Sequence, residues 1–599
     1  MKPEEMQKQI SDISVRDYIN IIKLAKKIKK EQNVLCKEKI KIAVIGTCSL
    51  QYFVMVLRVF LVKYDICADI WEGDYDGINM AVFDHQSELY KFQPEIVIVL
   101  SDHRDIRNMP PLLASTAQVD SFVQETIGYY QSLWDKISEI KGCHIFQSNI
   151  VIPLEREIGN LETNVYYARR NIFQLINMEM LKAKRDNTTL IDMEYVASMI
   201  GKERWFDYTL YFTSKLAHSL EYIGIVCDIF AQQISALKGR VRKCLVLDLD
   251  NTLWGGVVAD EGAKGIQVDP NNAVGEAYLF FQRYILDLKK RGIILAVISK
   301  NDFGLAKEPF DVNENMLMKY EDFSVFIANW ESKAQNIEAV AKKLNIGTDS
   351  LVFFDDNPAE REIIKIYHPE VLVIDVPDNV ADYVLALEQA HPFEWLNITE
   401  EDLKRIDTYK SNQERETLSM KYEDYQDYLR ALKMRGKVQE LDVSGVERFT
   451  QLINKSNQFN LRTKRYSEAR IIDMMRDDKY KLLSVVLEDK FSKFGVISCI
   501  ILKKEERTCF IDTWVMSCRV LKRDVEKLVY NQIVKTAKEW SCETVLGEYI
   551  ETAKNGLVKN LFIDLGFSEN VNGESEGIKQ YICEPDEAKI IKDIAIKEM

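Results

Sequence analysis

Short apolar runs separated by stretches of helical period recur along most of this chain. After a Lys- and Glu-rich lead-in, residues 1–38, whose pattern is helical, the run IKIAVIG (40–46) reads as a buried strand that ends in Gly46-Thr47-Cys48-Ser49. A helical pattern follows through Tyr64, and a second strand, Ile96–Leu100, ends in Ser101-Asp102-His103-Arg104. Residues 120–142 and 162–186 are helical, with a strand at Ile145–Pro153 between them. A further helical stretch, 209–237, leads to KGRVRK (238–243), a plausible boundary. Alternating β and α elements predict a parallel sheet covered by helices, here over 39–238.

The alternation resumes over 239–398. Buried strands are expected at 243–248, 293–298, near 325–328, at 351–354 and at 371–374, with helices at 276–290, 333–344 and 359–366. An acidic helical connector spans 399–436. Beyond it, 437–599 changes rhythm: strands at 482–488, 494–503 and 508–515, the last two joined by the polar turn KKEER, then a helix at 523–540 and a strand at 543–548. That β-β-β-α-β order predicts an α+β sheet. The expected fold class is thus multidomain α/β: two doubly wound parallel-sheet domains followed by an α+β domain.

Composition excludes several classes. A chain of 599 residues with 47% hydrophobic and 29% charged content is that of an ordinary globular protein of several domains. Net charge is −14 with no basic block, which argues against nucleic acid. No apolar stretch is expected to reach the roughly 20 residues a membrane helix needs. The N-terminus, MKPEEMQKQISDIS, lacks a signal-peptide core, so a cytoplasmic location is expected. Eleven cysteines without a CxxC pair are expected to be reduced core residues. Six histidines without HxH or HxxxH spacing argue against a histidine-based metal site.

Chemistry concentrates at four strand ends of 239–398. These are Asp248-Leu249-Asp250-Asn251-Thr252, Ser299-Lys300-Asn301-Asp302, Lys333 at the start of a helix, and Asp355-Asp356-Asn357-Pro358. Two acids placed two residues apart at a strand end call for a cation or a shared proton. The order acid pair, hydroxyl, lysine, acid pair matches the haloacid dehalogenase (HAD) superfamily of phosphotransferases. In that reading Asp248 is the nucleophile that forms an aspartyl-phosphate, and Asp250 is the general acid/base. Ser299 binds a phosphoryl oxygen, and Lys333 neutralises charge and restrains Asp248. Mg²⁺ is held by Asp248, Asp250 (through its backbone carbonyl), Asp355 and Asp356, with Asp355 alternatively the lysine's partner. Only about 25 residues, Gly-rich and alternating like a hairpin, separate Asp250 from the helix at 276, and about 33 separate Ser299 from Lys333. Neither gap holds a lid domain, so the site is expected to be open to a bulky or protein-borne substrate.

Longer strings narrow the resemblance. LVLDLDNTLWGGVVADEG, LAVISKND, NWESKAQNI, LVFFDDNPAERE and LINKSNQFNLRTKRY (452–466) closely resemble the FkbH-like family of the HAD superfamily, over roughly 200–570 and more faintly over the N-terminal domain. The resemblance implies a Mg²⁺-dependent phosphatase or phosphotransferase of polyketide or other secondary-metabolite assembly. Its substrate is a phosphorylated small molecule or one carried by an acyl carrier protein. The alternative it implies is a glyceryl transferase that loads a carrier protein from 1,3-bisphosphoglycerate. Against that alternative stands Ile298, at a position where many members are expected to carry a thiol; Cys244 lies within a strand. A third reading is a scaffold whose acids bind Mg²⁺ without turnover.

The flanking domains carry their own resemblances. Gly46-Thr47-Cys48-Ser49 resembles the nucleophile turn of an SGNH-hydrolase-like domain, with Cys48 or Ser49 as nucleophile. From Trp205-Phe206-Asp207 to His218 the D-x-x-H spacing of such enzymes is missing, which implies an inactive or binding domain. The C-terminal domain resembles an N-acetyltransferase-like (GNAT) fold, but Lys522 and Asp524 stand where functional members place pyrophosphate-binding glycines. LINKSNQFNLRT reads either as a ligand or domain contact or as a capped helix followed by a loop.

Overall fold

The computed structural model describes residues 5–6, 9–10, 13–35, 38–403, 415, 418, 421–422, 424–552, 554–570 and 577–599. The chain forms two compact units, Met1–Lys238 with Tyr466–Arg476, and Gly239–Arg465 with Asp477–Met599.

In the first unit the helix Tyr18–Leu35 precedes a five-stranded parallel sheet. Its strands are β1 (Glu38–Gly46), β2 (Ile66–Glu72), β3 (Ile96–Leu100), β4 (His144–Ser148) and β5 (Thr188–Ile191), in the order β2-β1-β3-β4-β5. Two of these, β2 and β5, are absent from the sequence reading. β2 follows a helix after one turn and carries Asp69 and Glu72 outward; β5 has only four residues. Each is too short or too mixed to show a period of its own. The helical stretch expected at 209–237 is broken: Tyr208–Ser214 ends at Lys215, in a left-handed conformation, and Ile223–Leu237 forms a separate helix. Contrary to expectation, the window Leu220–Leu237 is long and apolar enough to span a membrane by composition, at mean hydropathy 1.2. It is 61% buried within the protein, and its helix packs on Gln51–Lys63. The expectation of uniformly reduced cysteines also fails: Cys67 is disulfide-bonded.

The second unit contains two sheets. Strands β6 (Cys244–Leu247), β7 (Ile294–Ser299), β8 (Val325–Ala328), β9 (Leu351–Phe354) and β10 (Leu372–Val373) are all parallel, in the order β10-β9-β6-β7-β8. The helices Ala273–Lys290, Lys333–Leu344 and Pro358–Tyr367 match expectation closely. The helix Phe303–Val312 does not appear in the sequence reading; Pro309 inside it interrupts the pattern. The Gly-rich gap after Asp250 is no hairpin. It holds a one-turn helix, Val258–Glu261, closed by a single antiparallel bridge between Gly255 and Gln267.

The other sheet is built from β11 (Arg435–Glu440), β12 (Phe459–Asn460), β13 (Tyr480–Glu488), β14 (Lys493–Glu505), β15 (Thr508–Met516), β16 (Thr544–Ile550), β17 (Ser568–Glu569), β18 (Ile578–Cys583) and β19 (Lys597–Glu598). Its main path runs β17-β18-β16-β15-β14-β13-β11-β19, with β12 paired to β15. The hairpins are antiparallel. β15 and β16 are parallel because the helix Val525–Glu539 crosses between them. The fold class is therefore the expected one: α/β domains with parallel sheets, then an α+β domain. Of the connector expected at 399–436, Glu400–Leu403 and Tyr425–Ala431 are helical and β11 begins at its end; residues 404–414, 416–417, 419–420 and 423 lie outside the described residues.

Candidate active site

β6 lies at the centre of its sheet with β9 on one side and β7 on the other. Every residue of β6 is buried, so the strand is all apolar, and the first polar side chain it can offer is the one just past its end, Asp248. The neighbouring strands end at the same level. Ser299 is the last residue of β7, and Asp355 and Asp356 follow β9. Three chain segments far apart in sequence thus deliver their polar groups to one edge, the usual location of chemistry in open α/β sheets.

Lys333 opens the helix Lys333–Leu344, capped by Ser332. Its ammonium lies 2.8 Å from Asp248 Oδ2 and 2.5 Å from Asp355 Oδ2. Lys333 is 2% exposed, Asp355 0% and Asp248 9%, so the triad is held in low dielectric, where a broken partnership is costly. Burial alone would lower the Lys333 pKa; the charges of Asp248 and Asp355 outweigh it and hold it above the ordinary lysine value. Burial, with the charge of Asp248, pushes the Asp355 carboxyl up to about 7. Asp356 is raised for the same two reasons.

Carboxylate oxygens of Asp248, Asp355 and Asp356 lie within 4.8 Å of one another. Asp248 Oδ1 is buried and accepts no hydrogen bond. A buried carboxylate oxygen without a donor costs free energy unless a cation or an incoming group meets it. An all-oxygen donor set beside such an atom fits Mg²⁺, which takes one or two carboxylates and completes its shell with water and phosphate. Thr252 contacts Asp356 Oδ1 at 3.3 Å, and Arg361 donates to the Asp355 and Asp356 carbonyls at 2.8 Å each, fixing the acidic turn.

Asp250 is expected to reach the metal through its backbone carbonyl; its side chain is engaged elsewhere. Its carboxylate lies outside the acid cluster and accepts from Trp254 Nε1 (2.9 Å), the Val258 amide (3.0 Å) and Asn301 Nδ2 (3.2 Å). Burial raises its pKa, against these donors. Trp254, Asn301, Thr252 and the Lys300–Glu360 ion pair (2.5 Å) are site residues that the sequence reading assigned no role. Asn301 and Thr252 stand inside the strings already quoted, but nothing in those strings shows a contact between them. Ile298 and Cys244 are both 0% exposed in the apolar core that the helix Lys333–Leu344 covers.

The N-terminal candidates occupy a different place. Cys48 and Ser49 line a cavity of about 60 Å³ together with Ser101, Asp102, Trp205 and His218. Topology therefore brings His218 to the same cavity as the Gly46–Ser49 turn although the D-x-x-H spacing is missing. Its Nδ1 lies 2.9 Å from the Ser219 carbonyl, and its ring stacks on Trp205. Asp102 is bound by Arg104 (2.9 Å) and approaches His103. No hydrogen bond among the described residues joins Cys48 or Ser49 to His218. Burial, followed by the charge of Asp102, pushes the Cys48 thiol up to about 12.

In the C-terminal sheet, β15 and β16 pair only from Thr508 to Phe510. Farther along, the chain's own residues Phe459–Leu461 stand between them: β12 pairs with Val515 and Met516, and Leu461 O accepts from the Ile550 amide at 2.9 Å. Asn460 is 1% exposed and fully used, donating to Ser456 O and accepting from the Thr463 amide. LINKSNQFNLRT is thus a helix followed by an inserted strand. Lys522 and Asp524 both adopt left-handed backbone, and the Asp524 side chain, 4% exposed, is bound to Lys527 and the Ala595 amide.

Comparison with known proteins fits this geometry. Residues 41–234 match the family described as FkbH, N-terminal domain. The chain is similar to the crystal structure of the N-terminal part of the protein BF1531 from Bacteroides fragilis, which contains a phosphatase domain complexed with Mg. Identity is 30%, the match covers 63% of this chain and 99% of that one, and the TM-score is 0.58. About a quarter of the chain also matches acetyltransferases. They include spermidine N-acetyltransferase SpeG from Vibrio cholerae in complex with CoA and spermine (11% identity, 26% of this chain and 98% of that one, TM-score 0.20). Ard1 from Thermoplasma volcanium is another (16% identity, 25% and 97%, TM-score 0.20); at this level neither bears on function. No curated protein matches the chain significantly. With a matching family at its N-terminal domain, a phosphatase-containing relative covered almost end to end, and the acid–lysine cluster at the ends of β6 and β9, the chain belongs to the FkbH-like family of the HAD superfamily.

Proposed function

We propose that this protein is a Mg²⁺-dependent phosphatase or phosphotransferase that works through an aspartyl-phosphate at Asp248. The observation that carries the reading is the buried Asp248 carboxylate, one oxygen on Lys333 and the other unpaired. Lys333 fixes the carboxylate's orientation, which leaves Oδ1 to attack phosphorus. As the P–O ester bond breaks, Asp250 gives its proton to the leaving oxygen; burial shifts its pKa upward, in the direction that favours the protonated form. Asp250 then takes a proton from the water that attacks the aspartyl-phosphate, releasing inorganic phosphate and restoring Asp248. Ser299 and Lys333 bear on the charge of the phosphoryl oxygens throughout. Asp248, Asp355 and Asp356 would hold Mg²⁺, which supplies further charge neutralisation when bound.

The substrate is a phosphorylated small molecule, free or tethered to an acyl carrier protein, in polyketide or related secondary-metabolite assembly. Glyceryl transfer is less well supported, since Cys244 and position 298 are buried in the core. Phosphate release from a panel of phosphate esters, with magnesium or chelator, tests the reading. Asp248→Asn should lower it by about a thousandfold or more. Unchanged turnover in that variant would overturn the mechanism, and a mass increase on a carrier protein supplied with 1,3-bisphosphoglycerate would favour transfer.

A further inference from the structure

The parallel sheet of the first unit has a topological switch point. In the order β2-β1-β3-β4-β5 the chain steps from β1 to one side for β2, then returns to the other side for β3. The turns after β1 and β3 therefore diverge, and a crevice opens at the carboxyl ends of those two strands, where open α/β sheets bind ligands. The cavity of about 60 Å³ described above lies at this place. Cys48 and Ser49 reach it from the turn after β1, and Ser101 and Asp102 from the turn after β3. A third wall is the segment that carries His218, and it is pinned in place. The Ser49 amide donates to Lys215 O at 2.9 Å, and the Ser219 amide donates to Trp205 O at 2.8 Å. The volume has room for roughly five water-sized groups.

The lining is chemically sorted. Phe53, Leu100, Met193, Leu216 and Val226 give it an apolar body. Its polar groups are neutral or already paired. Asp102 is the one carboxylate among the lining residues, and Arg104 Nη1 meets its charge at 3.0 and 2.9 Å from the two oxygens. The Cys48 thiol stays protonated, since burial pushes it up to about 12. Burial likewise lowers the His218 pKa, so the ring is neutral at pH 7. Its Nδ1 faces the Ser219 carbonyl, which can only accept; the ring proton therefore sits on Nδ1, and Nε2 is left as an acceptor. Among the described residues nothing donates to that Nε2, and the Ser49 hydroxyl has no hydrogen-bond partner. An unfilled acceptor and an unfilled donor thus belong to an apolar cavity that offers no unpaired charge.

We propose that the N-terminal domain carries a second ligand site at the β1–β3 switch point, which takes a small uncharged molecule with a short apolar chain and an amide or hydroxyl head. The head donates to His218 Nε2 and accepts from Ser49, and the chain lies against the apolar wall. The inference is independent of the phosphatase reading. Butyramide is the probe, with butyrate and butylammonium as ions of the same chain length. Titration of the full chain, followed by ligand-observed NMR, should give a Kd of a few millimolar or tighter for butyramide, within the bound for so few atoms. Either ion should bind at least about tenfold more weakly, because the cavity offers no partner for a desolvated charge. His218→Phe, which keeps a ring against Trp205, should weaken butyramide by about fivefold or more, the order of one hydrogen bond. Ala217→Phe, which fills the cavity, should abolish binding. A photoreactive diazirine analogue of butyramide locates the site in the unaltered protein, whether or not the variants fold. It should label peptides that contain Cys48–Phe53 or Leu216–Val226, and excess butyramide should suppress the labelling. Absence of butyramide binding, equal binding of an ion, unchanged affinity in a folded Ala217→Phe protein, or labelling confined to other peptides would overturn the proposal.

Discussion

Asp355 shows how one side chain's surroundings set a property no string of letters carries. In the folded protein, burial and the neighbouring Asp248 charge raise its carboxyl from 3.8 to about 7. A raised carboxyl binds its proton more tightly folded than unfolded, so its contribution to stability is complete below about pH 4 and is lost as pH rises toward 7. In chelator, the stability of the wild type relative to Asp355→Asn should therefore fall between those values, as measured by urea denaturation across pH. Millimolar magnesium should oppose the fall, because a cation that binds the ionised carboxylates of the folded state stabilises it. A difference that stays flat in chelator would mean that Asp355 titrates like an exposed carboxyl. The placing of Asp248, Ser299, Asp355 and Asp356 at or just past strand ends, and of Lys333 at a helix start, was legible because their spacing from apolar runs is local. The distribution of labour was not: Asp250 is held by Trp254, Val258 and Asn301, away from the acid cluster.

At the scale of elements, the acid loop is positioned by the helix Ala273–Lys290. Gln282 donates to Leu253 O at 2.8 Å and accepts from the Leu317 amide at 3.1 Å, tying the loop after β6 to the segment before β8. Gly275, in the first turn of that helix, lies hard against the preceding turn. A Cβ there would stand 2.4 Å from Asp269 N and 2.7 Å from its O, and neither backbone atom can rotate away. Gly275→Ala should cost about 1–3 kcal/mol in urea denaturation; a neutral effect would show that the turn gives way freely. The helices Ala273–Lys290, Lys333–Leu344 and Pro358–Tyr367 were predictable to within a few residues, whereas Phe303–Val312 and Val446–Lys455 were not. β12, of two residues, was not predictable either, because a strand that short acquires its identity from its partners.

Across the whole molecule, the C-terminal domain differs from the others in that its candidate ligand gap is occupied by the protein itself. In the C-terminal sheet, Phe459–Leu461 fill the gap between β15 and β16, and a buried carboxylate, Asp524, sits at the N-terminus of the helix Val525–Glu539. An anion already in that position opposes a second one. Calorimetry with acetyl-CoA should show no binding to the full chain; stoichiometric binding would overturn this reading. The same sheet shares a compact unit with the phosphatase-like domain. Lys554 pairs with Asp349 at 2.5 Å, Gly239 runs against the Asn454 carbonyl, and buried Asp402 accepts from Gln451 at 2.6 Å.

The sequence by itself determined the class of the three sheets and the strand ends at which acids cluster, since apolar period and strand-end acids are local properties of the chain. Only the tertiary structure decided which of those residues meet. Lys333 between Asp248 and Asp355, His218 beside Cys48, the strand inserted beside β15 and the Lys300–Glu360 bridge each join segments tens of residues or more apart. Such contacts follow from strand order and packing, which act through the folded whole and leave no periodic trace in the chain.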